Sequence, residues 1–249
     1  MTNATTFGRQ AAIYAAGRPN YPDSLFDWIA ANSPHRDRVW DVATGSGQAA
    51  ISLAERFGEV VATDIDVDQI HAAQSRENIH YRVAPARVSG LPDNSVDAVN
   101  IATALHWFAD APFWTEVGRV AKPGAVVCAY VYPLPRSTAD VDQTLLGPLY
   151  AKLDPYWSAG NRLAMAGYTA ENTQCPFPVI ETPAFEAGGE WPLERLLAFA
   201  RSWSAHLRAR EDGHAEWLDD LEREAIARLG LDPVPVRLPL SVLAARVPG

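Results

Sequence analysis

The segment from Arg38 to Asp66 constrains the fold more than any other part of the chain. A short apolar run leads into the small-residue loop 43–47, a helical pattern follows and stops at Gly58, and a second apolar run ends at Asp64. Strand, glycine turn, helix, strand and acid in this order are typical of one half of a nucleotide-binding unit. The segment therefore predicts an α/β protein that binds a nucleotide-like ligand.

The residue types of this segment suit that role. Gly45 and Gly47 permit positive φ angles and a close approach of the backbone to a ligand. The helix that begins near Gly47 directs free amide groups and a partial positive charge at the loop. Asp64 follows the second strand at close to the spacing of about 20 residues seen between such a turn and its ribose-binding acid. We expect Asp64 to accept hydrogen bonds from both ribose hydroxyls.

Two ligand classes remain compatible with the loop. Gly45-x-Gly47-x-x-Ala50 satisfies the dinucleotide fingerprint, so the pattern alone permits NAD. Asp41, four residues before the first glycine, disfavours a pyrophosphate because an anion would face an anion. The sulfonium and ammonium groups of S-adenosylmethionine (SAM) would favour a carboxylate at this position. The sequence therefore favours SAM, with Asp41 either in contact with the ligand or bracing the loop through backbone amides.

Charge and composition exclude several other functions. The chain has a net charge of −9 and no strong basic patch, which disfavours nucleic acid and anionic membranes as partners. Cys128 and Cys175 form neither a disulfide framework nor a metal-ligand pattern, so we predict no metal and a reducing, cytoplasmic location. No stretch approaches 18 uninterrupted apolar residues, and we predict no membrane span.

Periodicity predicts the order of elements. Five strands alternate with helices up to Tyr132, which is typical of a parallel doubly wound sheet. The pattern then changes to short helical pieces rich in aromatic residues. The later elements that we predict are a strand over 180–185, helices over 193–207 and about 215–229, and one alternating strand over 236–244 that contains Pro239.

Several motifs in the same order resemble the type 11 subgroup of class I SAM-dependent methyltransferases. Asp41-Val-Ala-Thr-Gly-Ser-Gly47 resembles their D-x-G-x-G-x-G loop, and Asp64 stands where they have the ribose-binding acid. The group that includes the trans-aconitate methyltransferases is the most similar. Further matching stretches are Tyr14-x-x-x-Arg18-Pro-x-Tyr21-Pro, Ala84-Pro-Ala-Arg-x-x-x-Leu-Pro, Ser95-Val-Asp97, Ala104-Leu-His106-Trp107-Phe108, Arg119-Val-Ala-Lys-Pro-Gly124, Cys175-Pro-Phe-Pro, Trp191 and Arg201-Ser-Trp-Ser204.

The resemblance implies a fold and a set of cofactor-binding residues. The fold is a single α/β domain over 1–249, Rossmann-like and doubly wound. Its mostly parallel seven-stranded sheet has an antiparallel last strand, and a helical lid over 133–178 is inserted between strands 5 and 6. The implied cofactor-binding residues are Tyr14, Arg18, Asp41, Ala43, Gly45, Ser46, Gly47, Asp64, Ile65, Ala86, Arg87, Ala102 and Thr103.

Some of these positions depart from the family or permit a second role. Ala43 replaces a usual glycine, and Arg87 replaces a usual glutamate near the expected adenine. Ile65 would pack on the adenine or in the core. Arg18 would fold over the cofactor or bind the carbonyl groups at the end of its own helix.

His106 is the catalytic candidate, because it follows the fourth strand at the edge where open parallel sheets bind ligands. With an unperturbed pKa near 6.5, a histidine can act as a general base at neutral pH. It could instead hydrogen-bond the cofactor region or its own loop. The lid residues that could line an acceptor pocket or simply pack the lid are Tyr150, Tyr156, Trp157, Tyr168 and Phe177, and Arg136 and Arg162 are candidates for binding a carboxylate.

The predicted reaction is transfer of the SAM methyl group to O, N or C of a small-molecule acceptor by in-line displacement. S-adenosylhomocysteine would be the product. A non-catalytic SAM-binding scaffold or sensor is one alternative. An NAD-linked oxidoreductase is another, although we find no convincing Tyr-x-x-x-Lys pair. We expect a monomer or homodimer, with no nucleic-acid or membrane partner.

Overall fold

The computed structural model describes residues 19–249. Tyr14, Arg18 and the helix predicted near the amino terminus lie outside the described residues. Within them, no helix is both long enough and apolar enough to cross a lipid bilayer.

The first half of the described chain alternates strands and helices as its periodicity predicts. β4 is buried at six of its seven residues, because helices cover both faces of a parallel sheet. The helix Ala111–Val120 begins where the Asp110 side chain accepts a hydrogen bond from the Phe113 amide at 3.1 Å, because an aspartate at this position satisfies a free amide of the first turn. The elements are α1 Asp23–Asn32, β1 Arg38–Val42, α2 Gln48–Ala54, β2 Glu59–Asp64, α3 Val67–Ala72, β3 Ile79–Val83, β4 Val96–Ala102, a 3-10 turn Leu105–Trp107, α4 Ala111–Val120 and β5 Ala121–Val131.

The second half is mostly helical. The single helix predicted over 193–207 is wrong, because Trp203 is extended and divides it into two helices. The elements are α5 Ala139–Val141, a π-helical turn Asp142–Leu146, α6 Gly147–Leu153, a 3-10 turn Asp154–Tyr156, α7 Ala159–Ala166, β6 Glu186–Pro192, α8 Leu193–Arg201, α9 Ser204–Ala209, a π-helical turn Arg210–His214, α10 Ala215–Leu229, β7 Pro233–Pro239 and β8 Ser241–Arg246.

The central sheet is Rossmann-like and has the strand order β3-β2-β1-β4-β5-β8. Five strands are parallel, and β8 pairs antiparallel with β5, which confirms the predicted antiparallel last strand. Within residues 19–249 the sheet has six strands, so the predicted number of seven is wrong. The segment expected to supply the additional strand contacts β8 only through the bonds Ile180 N to Ala244 O and Arg246 N to Pro178 O, both 2.9 Å. Pro178 and Pro183 have no N–H to donate, which limits further pairing.

The alternating segment over 236–244 also differs from its prediction. It forms two strands, because β7 pairs with β6 in a separate two-stranded sheet and β8 pairs with β5. The chain changes sheet at Pro239, which has no N–H, and Leu240, whose amide donates to Phe185 O at 2.8 Å. The structure thus places β6 at 186–192 rather than at the predicted 180–185.

Apolar residues form separate clusters on the sheet and above it. Two clusters cover the faces of the central sheet. A third joins α5, α6, α8, α9 and α10 to the two-stranded β6–β7 sheet. We call the residues 139–157 and 186–239, which build this third cluster, the cap. The predicted lid over 133–178 thus supplies only part of the cap, and the remainder follows residue 185.

Candidate active site

The loop 43–47 leaves β1 in a left-handed backbone conformation. The φ angles are +52° at Ala43, +57° at Gly45 and +83° at Gly47. An alanine in this region costs roughly 1–2 kcal/mol, so the alanine at position 43 keeps the glycine geometry under strain. At Gly47 space is also lacking, since a Cβ atom would lie 2.1 Å from the Tyr81 hydroxyl. A side chain at position 47 would therefore strain the backbone and displace the Tyr81 ring.

Asp41 is fully buried behind this loop. Its carboxylate accepts hydrogen bonds from Thr44 Oγ1 at 2.5 Å and from Asn100 Nδ2 at 2.7 Å. Burial raises the pKa of Asp41 to about 6, and the Asp64 charge adds to the rise, while the two hydrogen bonds oppose it. Asp41 thus braces the loop, through side-chain donors rather than the backbone amides that we expected. Its direct contact with a ligand stays a prediction.

Asn100 is a site residue that the sequence analysis missed. It lies in β4, where the surrounding strand residues are apolar and buried, and it joins that strand to Asp41 of β1. Its polar side chain within a buried strand was the available signal, because a buried polar group requires a partner.

Asp64 connects the loop to the turn after β2. One carboxylate oxygen accepts from Gly45 N at 2.8 Å and the other from Asp66 N at 2.9 Å. Burial raises the Asp64 pKa, partly opposed by these amides. Asp66 caps α3 instead, accepting from Asp68 N at 2.9 Å, so the two acids have the separate positions that we predicted. Ile65 is 63% exposed, which removes core packing as its alternative role.

The other predicted cofactor residues, which are Ser46, Ala86, Arg87 and Ala102, differ in burial and in bonding partners. Ser46 and Ala102 are half-buried, and Ala86 packs partly against the sheet cluster. Arg87 forms an exposed ion pair with Asp110 through Nη2 at 2.6 Å. Its contact with an adenine stays a prediction.

Thr103 follows the last residue of β4 and lies beside loop 43–47, which follows β1. Its φ angle is +51°, its amide donates to Tyr130 O at 2.7 Å, and its hydroxyl is 2.8 Å from the Tyr21 hydroxyl. A non-glycine residue in this conformation is typical of a ligand-binding edge. We call the edge formed by loop 43–47, residues 64–65 and residues 102–103 the crevice.

A pocket opens next to the crevice, between the ends of β4 and β5, α7 and the cap. Thr103 belongs to both, so the crevice and the pocket meet at this residue. The residues that line the pocket are Thr103, His106, Trp107, Val131, Tyr132, Pro133, Leu134, Trp157, Asn161, Ala164, Met165, Phe199, Trp203 and Ser204.

His106 lines this pocket and is held by Tyr168. Its Nδ1 is 2.6 Å from the Tyr168 hydroxyl oxygen, and its backbone amide donates to the same oxygen at 3.4 Å. Burial raises the pKa of Tyr168, so this hydroxyl stays protonated. Its proton needs an acceptor, and Nδ1 is the acceptor within reach. We infer that Tyr168 donates to Nδ1, and in that tautomer the His106 ring carries its proton on Nε2.

The remaining lid predictions have mixed outcomes. Trp157 lines the pocket, whereas the other four lid aromatics are not among its described lining residues. Tyr150 donates to Pro135 O at 2.6 Å. Arg162 pairs with Asp154 at 3.1 Å, and neither it nor Arg136 lines the pocket. The partnership of Tyr168 with His106 had no local sequence signal.

Comparison with known proteins agrees with this geometry. Residues 40–129 match the family model of the type 11 methyltransferase domain. A solved structure of a candidate type II methyltransferase from Anaeromyxobacter dehalogenans is 36% identical, with a TM-score of 0.84, and the match covers 93% of this chain and 98% of that one.

More distant relatives are also similar. A protein of Dictyostelium discoideum named as a methyltransferase is 26% identical over 87% of this chain and 83% of its own length. An uncharacterized methyltransferase of Mycobacterium tuberculosis is 37% identical over 122 residues, which are 48% of this chain and 49% of that protein. Phosphoethanolamine N-methyltransferase 2 of Haemonchus contortus, solved with SAM, shares the fold at a TM-score of 0.53 and 15% identity, and the match covers all of this chain and 61% of that one. These relatives do not single out the trans-aconitate group.

Proposed function

This chain belongs to the type 11 family of class I SAM-dependent methyltransferases, and on that premise we propose that its methyl acceptor is a small molecule bound in the pocket. The reaction would be transfer of the methyl group to O, N or C of that molecule, with S-adenosylhomocysteine as the product and the proton displaced from the acceptor atom released to solvent. One observation carries the proposal. The crevice and the pocket share Thr103, so a donor in the first and an acceptor in the second would be neighbours.

The residues of the crevice fit SAM. Each oxygen of Asp64 accepts one backbone amide, and a carboxylate has about four lone-pair sites, so both oxygens retain capacity for ribose hydroxyls. The exposed side chain of Ile65 offers an apolar surface beside it. The buried carboxylate of Asp41 favours a cation at the loop. When bound, SAM supplies an electrophilic methyl group on a positively charged sulfur, which leaves with the electron pair of the broken C–S bond.

The chain itself has to align the acceptor and exclude water. Alignment of reacting atoms within about 3–3.5 Å supplies much of the rate enhancement in such a displacement. Apolar walls around the pocket remove competing hydration from the acceptor. His106 is the residue that we propose to act on the acceptor. In the tautomer that carries the proton on Nε2, His106 would donate a hydrogen bond and orient the acceptor instead of removing a proton as a general base.

Incubation of the protein with methyl-labelled SAM and a metabolite extract, followed by mass spectrometry, tests the reaction. We expect label in a low-molecular-weight product and equimolar S-adenosylhomocysteine. The same incubation with excess S-adenosylhomocysteine is the control and should give little product. Calorimetry with SAM, S-adenosylhomocysteine and NAD completes the test, and a preference for NAD would contradict the proposal.

Two substitutions test the role of His106. His106→Gln keeps an N–H donor, whereas His106→Ala removes it. A donor role predicts that the glutamine variant retains activity within about tenfold while the alanine variant loses more, since a lost hydrogen bond is worth about 1–3 kcal/mol. SAM affinity should change little in either. Equal loss in both variants, with a new pH dependence of kcat, would indicate a general base.

A further inference from the structure

The walls of the pocket indicate what kind of molecule it accepts, and this inference rests on the proposed methyl transfer. We propose that the acceptor is uncharged and planar, and that it presents a hydrogen-bond acceptor atom, such as a carbonyl oxygen or ring nitrogen, to the side-chain amide of Asn161.

Aromatic and aliphatic side chains form most of the pocket surface. Trp157 and Trp203 come from the two chain segments of the cap, and their rings lie 5.9 Å apart, measured between centroids. Flat apolar surfaces bind planar rings well, because stacked or edge-on contacts add to the burial of apolar area. The other apolar lining residues are Trp107, Val131, Tyr132, Pro133, Leu134, Ala164, Met165 and Phe199.

Charge is lacking on the same surface. Within residues 19–249, no lysine, arginine, aspartate or glutamate lines the pocket. Arginines on the helices that supply lining residues have other partners: Arg162 pairs with Asp154 and Arg201 with Glu222, Arg195 lies over the Trp191 ring at 4.2 Å, and Arg208 donates to Tyr156 O at 2.9 Å. A carboxylate entering this pocket would lose its hydration without gaining a cation from these residues. The pocket therefore differs from what an acceptor acid of the aconitate type requires.

Asn161 supplies a donor of fixed orientation. Its Oδ1 accepts from the Ser158 backbone amide at 3.3 Å and from the hydroxyl groups of Ser158 and Ser204 at 2.8 and 3.1 Å. A backbone amide can only donate, so this contact identifies the oxygen and directs the NH₂ group away from it. Within the described residues the NH₂ group has no acceptor, and an amide nitrogen has two hydrogens to donate. An acceptor atom on the bound molecule would complete this site.

Binding of two matched rings tests the charge preference. Calorimetry on the protein saturated with S-adenosylhomocysteine would compare quinolin-4-one with quinoline-4-carboxylate, which share a ring system and differ in charge. We expect the neutral ring to bind at least tenfold more tightly. Equal or tighter binding of the carboxylate, or no binding of either ring, would overturn the inference. If S-adenosylhomocysteine itself does not bind, the proposed methyl transfer fails as well, so the two failures are distinguishable.

Substitution of Asn161 tests the hydrogen bond. Asn161→Asp keeps the oxygen that Ser158 and Ser204 contact and replaces the NH₂ group with a second oxygen. We expect the Kd of quinolin-4-one to rise about tenfold or more, with unchanged affinity for S-adenosylhomocysteine. Asn172→Asp is the control, because Asn172 makes a similar contact with Thr169 outside the pocket and its NH₂ group donates to Gly167 O at 2.8 Å. This variant loses an amide donor away from the pocket and should leave both affinities unchanged, with its folding checked by thermal unfolding. Unchanged quinolin-4-one binding in Asn161→Asp would overturn the role of the amide.

Discussion

The crevice and the cap are built in different ways. The crevice takes most of its residues from one segment, and backbone amides and buried carboxylates hold it together, as in the bonds of Asp64 to Gly45 and Asp66. The cap joins residues 139–157 to residues 186–239, and apolar side chains hold it together. The difference suggests that the chemistry of the donor is fixed by local backbone geometry, whereas the choice of acceptor depends on packing between distant segments.

A pair of glycine substitutions gives the largest contrast between the two regions. Gly47 in the crevice and Gly213 in the cap have φ angles of +83° and +90°, but an added Cβ meets Tyr81 at the first and nothing within 4 Å at the second. We expect Gly47→Ala to lower SAM affinity 100-fold or more by calorimetry. Gly213→Ala should only destabilise the fold by about 1–2 kcal/mol in urea unfolding. Similar effects of the two variants would contradict the steric argument.

Two buried carboxylates should give opposite pH trends in stability. Asp41 has its pKa raised from 3.8 to about 6, so the folded state holds its proton more tightly than the unfolded state. The free energy of unfolding should therefore rise as pH falls from 7 towards 4, by up to about 3 kcal/mol, and Asp41→Asn should remove this rise in urea unfolding.

Glu222 in the cap is the counterpart. Burial would raise its pKa, but the hydrogen bonds from Arg201 at 3.0 Å and the His206 ring 3.8 Å away outweigh burial and lower it. Its stabilisation is present above pH 4.5 and is lost as pH falls below it, so Glu222→Gln should differ most from the parent protein near neutral pH. The same pH trend in both variants would show that the two regions do not differ in this respect.

Asp64→Ala tests whether the crevice recognises the ribose. We expect SAM affinity to fall by about 10-fold to 100-fold, because hydroxyl groups would lose a charged partner. Asp66→Ala is the control, since it removes the α3 cap and should affect stability by about 1 kcal/mol while leaving SAM affinity within a few-fold. Calorimetry measures both, and an unchanged affinity in Asp64→Ala would place the ribose acid elsewhere.

Trp157→Ala in the cap has the smallest expected effect. Trp157 lines the pocket, whereas Trp217 is partly exposed and lies against Lys152 at 5.2 Å. We expect Trp157→Ala to raise the KM of the acceptor, once the labelling experiment has identified it, about tenfold with unchanged SAM affinity, since a lost aromatic contact is worth roughly 1–3 kcal/mol. Trp217→Ala should change neither value. A loss of SAM affinity in Trp157→Ala would show that crevice and cap are energetically coupled.

The same contrast explains how far the sequence predicts the structure. The elements through β5 and the separate positions of Asp64 and Asp66 are readable, because periodicity, caps and turns are properties of neighbouring residues. The division of residues 236–244 into two strands at Pro239 cannot be read from the sequence. Its alternation continues through the break, and the sheet that each half joins depends on β5 and β6, which lie far away in sequence.

Prediction of the site from the sequence has the same limit, because only features set by neighbouring residues can be read. Loop geometry follows from a local motif, whereas the sequence left open whether Ile65 lies in the core. The contact between His106 and Tyr168 spans 62 residues, and no pattern near either one indicates it. Trp157 and Tyr150 are both aromatic residues of the predicted lid, yet only tertiary packing determines that Trp157 lines the pocket while Tyr150 bonds to Pro135.

The two-segment construction of the cap has a consequence for engineering. Trp157 and Asn161 come from before β6, whereas Phe199, Trp203 and Ser204 come after it, and the hydroxyl of Ser204 contacts Asn161 across the junction. A chimaera that takes only residues 133–178 from a homologue would line one side of the pocket with the homologue's residues and the other side with its own. The contact between Ser204 and Asn161 would then be broken. Transplanting the acceptor preference of another enzyme into this scaffold should therefore require exchange of both segments, with β1 to β5 left untouched.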